Sequence, residues 1–139
     1  MSNFTEPLIV SQLPSGLWRT ERDFTYDVGQ EGSGNTITVP KLFTTDFFSV
    51  PWPASMLIPK SEKGDQASVL HDFLYSIVGE ITPFYNNIKR TRAQCDFIFK
   101  EAMTVLGVNW FKRGMIYNAV RVGGWWPWNQ QMKKLKVCR

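Results

Sequence analysis

Hydrophobic and polar positions follow a strand-like pattern in the first third of the chain. From Leu17 to about Val50 the sequence is rich in Thr, Phe, Val, Tyr and Trp, which are residue types that favour strands. The pattern predicts strands over residues 17–28 and 35–44, and the glycine-rich run 29–34 between them is typical of a hairpin turn. A small antiparallel sheet is therefore expected at the N-terminal end.

Helical spacing of apolar residues dominates the rest of the chain. One face of the first predicted helix is formed by Ala67, Leu70, Leu74 and Val78. Asp65 is its predicted N-cap and Gly79 its stop, and an irregular, proline-containing connector is predicted before it over residues 51–64. Further helices are predicted over residues 89–106 and 109–122, each followed by glycine. These elements indicate an α+β fold in which the sheet packs on two or three helices.

The positive charge of the chain is concentrated at its C-terminal end. The 139 residues predict one domain over residues 1–124, followed by an extended aromatic and basic C-terminus over 125–139. Residues 102–139 contain seven lysines or arginines and no acidic residue, whereas residues 1–101 contain nine basic and twelve acidic residues. This asymmetry predicts contact with an anionic partner. The candidates are lipid headgroups, nucleic acid and an acidic protein surface.

Histidine and cysteine are scarce, which excludes several classes of metal site. A single His excludes zinc sites of the HExxH type, and two Cys exclude a four-Cys zinc site. The two Cys allow at most one disulfide, which fits a reducing compartment. Neither a signal-peptide pattern nor an apolar run of about 20 residues is found, so we expect a soluble or peripheral protein without a transmembrane segment.

The single histidine lies beside a carboxylate on the first predicted helix. His71 and Tyr75 are four residues apart and share a helix face, while Asp72 projects about 100° away. If the first two helices pack antiparallel, Asp96 reaches the imidazole nitrogen that faces away from a substrate, and Tyr75 can donate its hydroxyl to Asp96. This arrangement orients a histidine as a general base for water, and it leaves Asp72 to hold calcium together with backbone carbonyls. The alternative is a buried His71–Asp96 pair that only links two helices.

Two short motifs on these helices carry a resemblance to a known enzyme family. They are Ala67-x-x-Leu70-His71-Asp72-x-x-Tyr75 and Ala93-x-x-Asp96-x-x-Phe99. The pair resembles the core signature of phospholipase A2, especially the compact form in parvovirus capsid proteins. The resemblance implies that His71 is the base and Asp72 a calcium ligand. It implies further that Asp96 and Tyr75 support the histidine.

One departure from that signature concerns the calcium loop. Phospholipase A2 places a glycine-rich loop shortly before the His-Asp helix, whereas residues 51–64 contain only Gly64. Asp46, in a loop-like Thr-Asp segment, is the candidate for a substitute calcium ligand. Thr45 and Ser49 beside it can cap a turn through hydrogen bonds from side chain to backbone. The alternative is therefore that Asp46 belongs to a structural turn and binds no calcium.

A longer ordered set of motifs covers most of the chain. The set comprises Thr38-Val39-Pro40, Thr45-Asp46-x-x-Ser49-Val50-Pro51, the His71–Tyr75 motif, Asp96-x-x-Phe99 and Tyr117-x-Ala-Val-Arg-x-Gly-Gly124. It is similar to a phage and prophage family, the domain-of-unknown-function family thirteen-fifty-three. The resemblance implies a bacteriophage origin and a recurring small domain, and it supplies no established activity.

The C-terminal extension combines aromatic and basic residues that suit a surface contact. The predicted contact residues are Trp125, Trp126, Trp128, Lys133, Lys134 and Lys136. They fit an anchor in which the rings lie at the level of lipid headgroups and the lysines meet phosphates. They also fit an aromatic cluster folded over the helices, or docking to another virion protein, since Pro127 opposes an uninterrupted amphipathic helix. Nucleic-acid binding suits the charge, although no binding module is recognised.

Two functions from different classes remain open after these observations. The first is a small bacteriophage protein, a virion or assembly component with other phage structural proteins as partners, located in the virion or the host cytoplasm. The second is a calcium-dependent ester or phospholipid hydrolase in which His71 is the general base.

Overall fold

A computed structural model of the protein describes residues 3–45, 62–76, 90–126 and 128–130. Within these ranges the elements follow one another as β1 (Val10–Gln12), β2 (Trp18–Thr20), β3 (Phe24–Asp27), β4 (Thr36–Val39), β5 (Thr44–Thr45), α1 (Glu62–Ser76), α2 (Arg92–Val105) and α3 (Trp110–Gly123). One antiparallel sheet has the strand order β1-β2-β5, and β3 pairs with β4 in a second antiparallel sheet. The predicted α+β fold is confirmed.

Strands β3 and β4 form the predicted hairpin around the glycine-rich turn. Their register pairs Phe24 with Val39 and Asp27 with Thr36. The Asp27 carboxylate closes the turn, because it accepts hydrogen bonds from the Gly32 amide at 2.8 Å and from the Thr36 hydroxyl at 2.6 Å. Gly32 has a φ of 78°, a left-handed conformation that glycine adopts without steric cost. The residues of the turn therefore fit the register in which β3 and β4 pair.

Each of the two predicted long strands is broken, and its parts belong to different sheets. Residues 17–28 contain β2 and β3, and residues 35–44 contain β4 and the start of β5. Pro40 has no amide to donate to a ladder, and Leu42 has a positive φ of 69°. The chain therefore turns after β4, and the Leu42 amide donates to the Thr20 carbonyl at 2.8 Å. The prediction of two continuous strands is wrong for this reason.

The start of α1 lies earlier than predicted. The helix begins at Glu62, ahead of the predicted cap Asp65, so residues 62–64 of the predicted connector are helical. Glu and Lys at the first two positions favour helix and extend it beyond the apolar face that the prediction used. The remainder of the predicted connector and the predicted stop Gly79 lie outside the described residues.

The other two helices begin at side-chain caps. Thr91 and Gln94 form a capping box at the start of α2, in which each side chain accepts a hydrogen bond from the other residue's amide. Asn109 caps α3 by accepting from the Phe111 amide at 2.8 Å. These caps satisfy amides that the first helical turn leaves without partners. Both helices start within three residues of their predicted positions.

A single hydrophobic cluster joins the β3–β4 hairpin to all three helices. Its fully buried members include Phe24, Tyr26, Ile37, Val39, Ala67, Val69, Leu70, Phe99, Ala102, Ile116 and Val120. At the edge of the cluster, the Tyr26 hydroxyl and the Gly29 amide donate to the Glu101 carboxylate at 2.6 and 2.8 Å. The Phe43 ring meets the Phe73 ring of α1 edge-on, with 5.4 Å between centroids. The contacts with Glu101 hold the hairpin against α2, and the Phe43 ring holds the segment before β5 against α1.

The described part of the C-terminal extension is helical rather than extended. Residues 125, 126 and 128–130 have helical conformation, and the Trp128 amide donates to the Gly124 carbonyl at 3.2 Å. This bond adds a turn beyond the end of α3 and turns the Trp128 ring toward Tyr75 on α1, with 5.3 Å between ring centroids. Among the helices that the structure describes, none is long and apolar enough to cross a membrane.

Two glycines of the C-terminal helical region provide a test of this packing. A Cβ at Gly124 would clash with the Val120 carbonyl oxygen and lie 2.7 Å from the Tyr75 hydroxyl, whereas a Cβ at Gly114 meets nothing within 4 Å. We expect Gly124→Ala to lower the free energy of unfolding by about 1–3 kcal/mol through overpacking. Gly114→Ala is the matched control and should raise it by about 0.5–1 kcal/mol, because alanine favours helix. Denaturant unfolding measures both, and an equal effect of the two substitutions would contradict the close approach at Gly124.

Candidate active site

The structure brings together three of the predicted site residues at the contact between α1 and α2. The Nε2 atom of His71 lies 2.9 Å from Oδ1 of Asp96, and the Tyr75 hydroxyl donates to the same oxygen at 2.6 Å. His71 and Asp96 both have side chains with no exposed surface. The four-residue spacing on α1 places His71 and Tyr75 on one helix face, from which both side chains reach across to α2.

Two arginines complete the surroundings of the carboxylate. Arg121 of α3 donates to Oδ2 of Asp96 at 2.8 Å, and Arg92 of α2 lies 3.5 Å from the same oxygen. Arg92 also donates to the carbonyls of Val120 and Arg121, both at 3.2 Å. Neither arginine was predicted from the sequence as a site residue. The spacing of Arg92 and Asp96, four residues apart in one helix, is a signal for the first, whereas Arg121 comes from a helix that only the tertiary fold brings near.

The charge of Asp96 is stabilised by these donors despite its burial. Burial raises the pKa of a carboxyl group, but the hydrogen bonds from His71 and Tyr75, with further support from Arg121, outweigh it. The pKa of Asp96 is therefore held below its ordinary value. Both burial and the neighbouring carboxylate raise the pKa of the Tyr75 hydroxyl, so Tyr75 stays protonated and acts as a donor. Asp96 is an ionised acceptor surrounded by donors.

This ionised carboxylate determines the tautomer of His71. An ionised carboxylate only accepts hydrogen bonds, so the proton of the neutral imidazole lies on Nε2. The lone pair is then on Nδ1, which is buried and has no hydrogen-bond partner in the part of the chain that the structure describes. Buried polar atoms are nearly always paired in native proteins, and a general base needs an unpaired lone pair.

Aromatic rings hold the imidazole in place. The Phe99 ring stacks on His71 with 4.4 Å between centroids and 26° between planes, and the Tyr75 ring packs at 4.3 Å. Trp128 packs edge-on against Tyr75 from the C-terminal segment. The motif spacing of Asp96 and Phe99, three residues apart, places both side chains on the helix face that meets His71. The ring orientation is thus set by packing as well as by the hydrogen bond to Asp96.

The predicted calcium ligands are only partly within the described residues. Asp72 is half-buried on α1 next to His71 and takes part in an interaction of its own. Asp46, the second predicted ligand, lies outside the described residues, as do Lys133, Lys134 and Lys136. Over the ranges that are described, no group of three or more His, Cys, Asp or Glu side chains is placed to hold a metal ion.

Two further features lie close to the site without joining it. Cys95 is buried beside Asp96, and burial raises the pKa of its thiol to about 12, so it is an unreactive core residue. A pocket of about 460 Å³ lies on another face of α2, and its lining includes Arg90, Phe97 and Tyr117. His71 and Asp96 do not line this pocket.

Fold and site together define a small α+β protein with a buried histidine–carboxylate pair. A family model with the description "Protein of unknown function (DUF1353)" matches residues 18–120, which is most of the chain. The protein belongs to this family, to which the ordered motifs are similar. No curated protein and no solved structure matches the chain.

The tautomer of the single histidine can be measured directly. Isotope-edited NMR of the imidazole nitrogens gives one set of signals, because the chain contains one His. In the neutral imidazole we expect the proton on Nε2 and the lone pair on Nδ1, since Nε2 faces the ionised Asp96. A proton on Nδ1 would contradict the geometry of the site.

Loss of the Asp96 charge should destabilise the protein. In Asp96→Asn the two partly exposed arginines lose their buried anionic partner, and we expect the free energy of unfolding to fall by about 3 kcal/mol. Glu31→Gln, at an exposed position, is the control and should change it by less than about 0.5 kcal/mol. Because the folded-state pKa of Asp96 is lowered, its contribution is present above the unfolded pKa of about 4 and is lost as pH falls through the folded pKa. Denaturant unfolding across the acid range should therefore show a smaller pH dependence in Asp96→Asn than in the native protein.

Proposed function

We propose that this protein is a hydrolase that cleaves ester bonds with His71 as the general base. The observation that carries the proposal is the asymmetry of the two imidazole nitrogens. Nε2 is held by Asp96, while the buried Nδ1 has no partner among the described residues. A purely structural histidine would be expected to satisfy both nitrogens. The asymmetry meets one requirement of base catalysis, because one nitrogen is positioned and the other keeps a lone pair. The His71 side chain has no exposed surface, so the proposal also requires that substrate binding opens a path for water to Nδ1.

The chemistry starts with proton transfer to Nδ1. As a water oxygen attacks the ester carbonyl carbon, Nδ1 takes a proton from that water, and the imidazolium that forms is stabilised by Asp96 through Nε2. The tetrahedral intermediate then collapses, the bond to the alcohol oxygen breaks, and the proton on Nδ1 passes to the leaving alcohol. The products are a carboxylic acid and an alcohol, and His71 returns to its neutral form.

Asp96 and Tyr75 are positioning residues in this mechanism. Tyr75 and Arg121 each donate to one oxygen of Asp96 and so fix the plane of the carboxylate. The hydrogen bonds from His71 and Tyr75 and the charge of a protonated His71 lower the pKa of Asp96, so the carboxylate stays ionised beside the imidazolium. The carboxylate therefore stabilises the charge of the imidazolium without taking its proton.

Calcium is a candidate cofactor, with Asp72 as its candidate protein ligand. Calcium takes six to eight oxygen ligands, and carboxylates and backbone carbonyls are suitable donors. Asp72, beside His71 on α1, supplies one carboxylate, and the described residues provide no cluster of three ionisable ligands. The support for calcium is therefore the resemblance to phospholipase A2. When bound, the ion would polarise the ester carbonyl.

The hydrolase proposal is tested by ester hydrolysis with and without calcium. Phosphatidylglycerol vesicles and a soluble chromogenic ester are the substrates, and fatty acid or chromophore release is measured in calcium and in chelator. We expect His71→Ala to lower the rate by about 10²–10⁴-fold, because the general base is lost. Tyr75→Phe keeps the ring and loses only the hydroxyl, so it should lower the rate less than His71→Ala does.

The hydrolysis test has a matched control and two outcomes that would contradict the proposal. Phe97→Ser, on the exposed side of α2, should keep the native rate. The hydrolase proposal fails if the native protein releases no product from either substrate at any calcium level. It fails also if His71→Ala retains the native rate while remaining folded.

A virion or assembly role is the second candidate function. The network of Asp96 with His71, Tyr75 and the two arginines stabilises the fold without any reaction, so it gives His71 a structural role. The support for the virion or assembly role is the resemblance of the ordered motifs to a phage and prophage family. Other phage structural proteins would be the partners, and the virion or host cytoplasm the location. Detection of the protein in purified phage particles by mass spectrometry, without hydrolysis by the pure protein, would favour this role over the enzyme.

A further inference from the structure

The side of α3 that faces away from the core carries large apolar side chains exposed to solvent. We define the outer face of α3 as Phe111, Met115 and Val122 of the helix together with Trp125 and Trp126 of the helical turn that follows it. Their exposed fractions are 58% for Phe111, 45% for Met115, 77% for Val122, 54% for Trp125 and 60% for Trp126. Single exposed apolar residues are ordinary in folded proteins, whereas a contiguous apolar patch marks a contact surface.

Helical geometry places these residues on one stripe. With about 100° between successive residues, the outer face spans an arc of roughly 100°. The buried residues of α3, Ile116 and Val120, lie on the opposite side of the helix and pack in the core. A surface helix ordinarily presents polar residues there, so α3 is apolar on both sides. Asn118 is the one polar residue within the arc of the outer face.

Basic residues border the outer face and acidic residues are missing from this end of the chain. Lys112 is exposed at one edge of the arc, and Arg121 lies near the other edge, where it also binds Asp96. After Glu101 the sequence contains seven Lys or Arg and no Asp or Glu. The outer face is thus an apolar stripe with cations beside it and no anion on its helix.

This charge distribution selects among the possible occupants. A second copy of the chain would bring the same cations together, which is unfavourable. Nucleic acid requires cations in the middle of the contact to neutralise phosphates, and the middle of this stripe is Val122 and Met115. An anionic bilayer surface needs apolar side chains at the boundary between headgroups and acyl chains, with cations at the level of the phosphates. On α3 the apolar side chains form the stripe and the cations lie beside it, as such a surface requires.

We propose that the outer face of α3 docks on the surface of an anionic lipid bilayer, with the helix lying in the plane of the interface. Exposed tryptophans are well suited to this depth, because their rings are apolar and their indole N–H remains near water. The docking does not depend on the hydrolase proposal. It would nevertheless place the bilayer close to the site, since α3 also carries Arg121 and its extension carries Trp128.

Vesicle sedimentation with the full-length protein tests the proposal without any turnover. The probes are vesicles of phosphatidylcholine alone and vesicles of phosphatidylcholine mixed with phosphatidylglycerol. We expect binding to the mixed vesicles, weakened by added salt, and much weaker binding to phosphatidylcholine alone. Phe111→Ser should weaken partition into mixed vesicles by about ten-fold, since one large apolar side chain no longer enters the interface.

Phe97→Ser is the matched control, because Phe97 on α2 is also 58% exposed but lies outside the outer face. It should bind vesicles as the native protein does. Val122→Asp adds a charge at the middle of the stripe and should weaken binding further than Phe111→Ser does. Circular dichroism of each variant confirms that the loss of binding occurs in a folded protein.

Other results would overturn the proposal. It fails if the native protein does not bind mixed vesicles, or if Phe111→Ser and Phe97→Ser weaken binding equally. Concentration-dependent dimers that Val122→Asp abolishes, with no vesicle binding, would assign the outer face to a second copy instead. Tight, salt-sensitive binding to duplex DNA without vesicle binding would assign the basic end to nucleic acid.

Discussion

The buried carboxylate of Asp96 is the interaction on which the helical part of the structure depends. Burying a charge costs several kcal/mol unless donors surround it, and here the donors come from α1, α2 and α3. The three helices must therefore pack in one arrangement for the charge to be satisfied. The close approach of Gly124 to Tyr75 belongs to the same arrangement, because any side chain at that position would displace the hydroxyl that binds Asp96.

The same carboxylate links stability to chemistry. By accepting the Nε2 proton of His71, it leaves the lone pair on Nδ1, so the structural network and the candidate catalytic base are one set of atoms. The structural and catalytic interpretations differ in whether water reaches Nδ1, since the His71 side chain has no exposed surface. Helix α3 takes part in two contacts, since Arg121 at the edge of its outer face binds Asp96 while the outer face itself supplies the proposed contact with lipid.

Local patterns in the sequence were sufficient for elements whose interactions are local. Helical spacing placed His71 beside Tyr75 and Asp96 beside Phe99, and the glycine-rich run predicted the hairpin turn that Asp27 closes. The same patterns failed where residues distant in the sequence determine the local structure. The predicted strand 35–44 breaks near Pro40 and Leu42, and the turn is held by Thr20 from another strand. The hydrogen bond from Arg121 to Asp96 could not be predicted from a local pattern either, because it joins two helices.

The sequence by itself determined the α+β class, the positions of three helices within a few residues, and the family through its ordered motifs. It also indicated one histidine site and one basic, aromatic end. Only the tertiary structure decided that Asp96 binds two arginines, that Trp128 turns inward while Trp125 and Trp126 face solvent, and that α3 is apolar on both sides. The physical reason is that spacing along a helix specifies which residues share a face, whereas the partner of that face depends on how the elements pack.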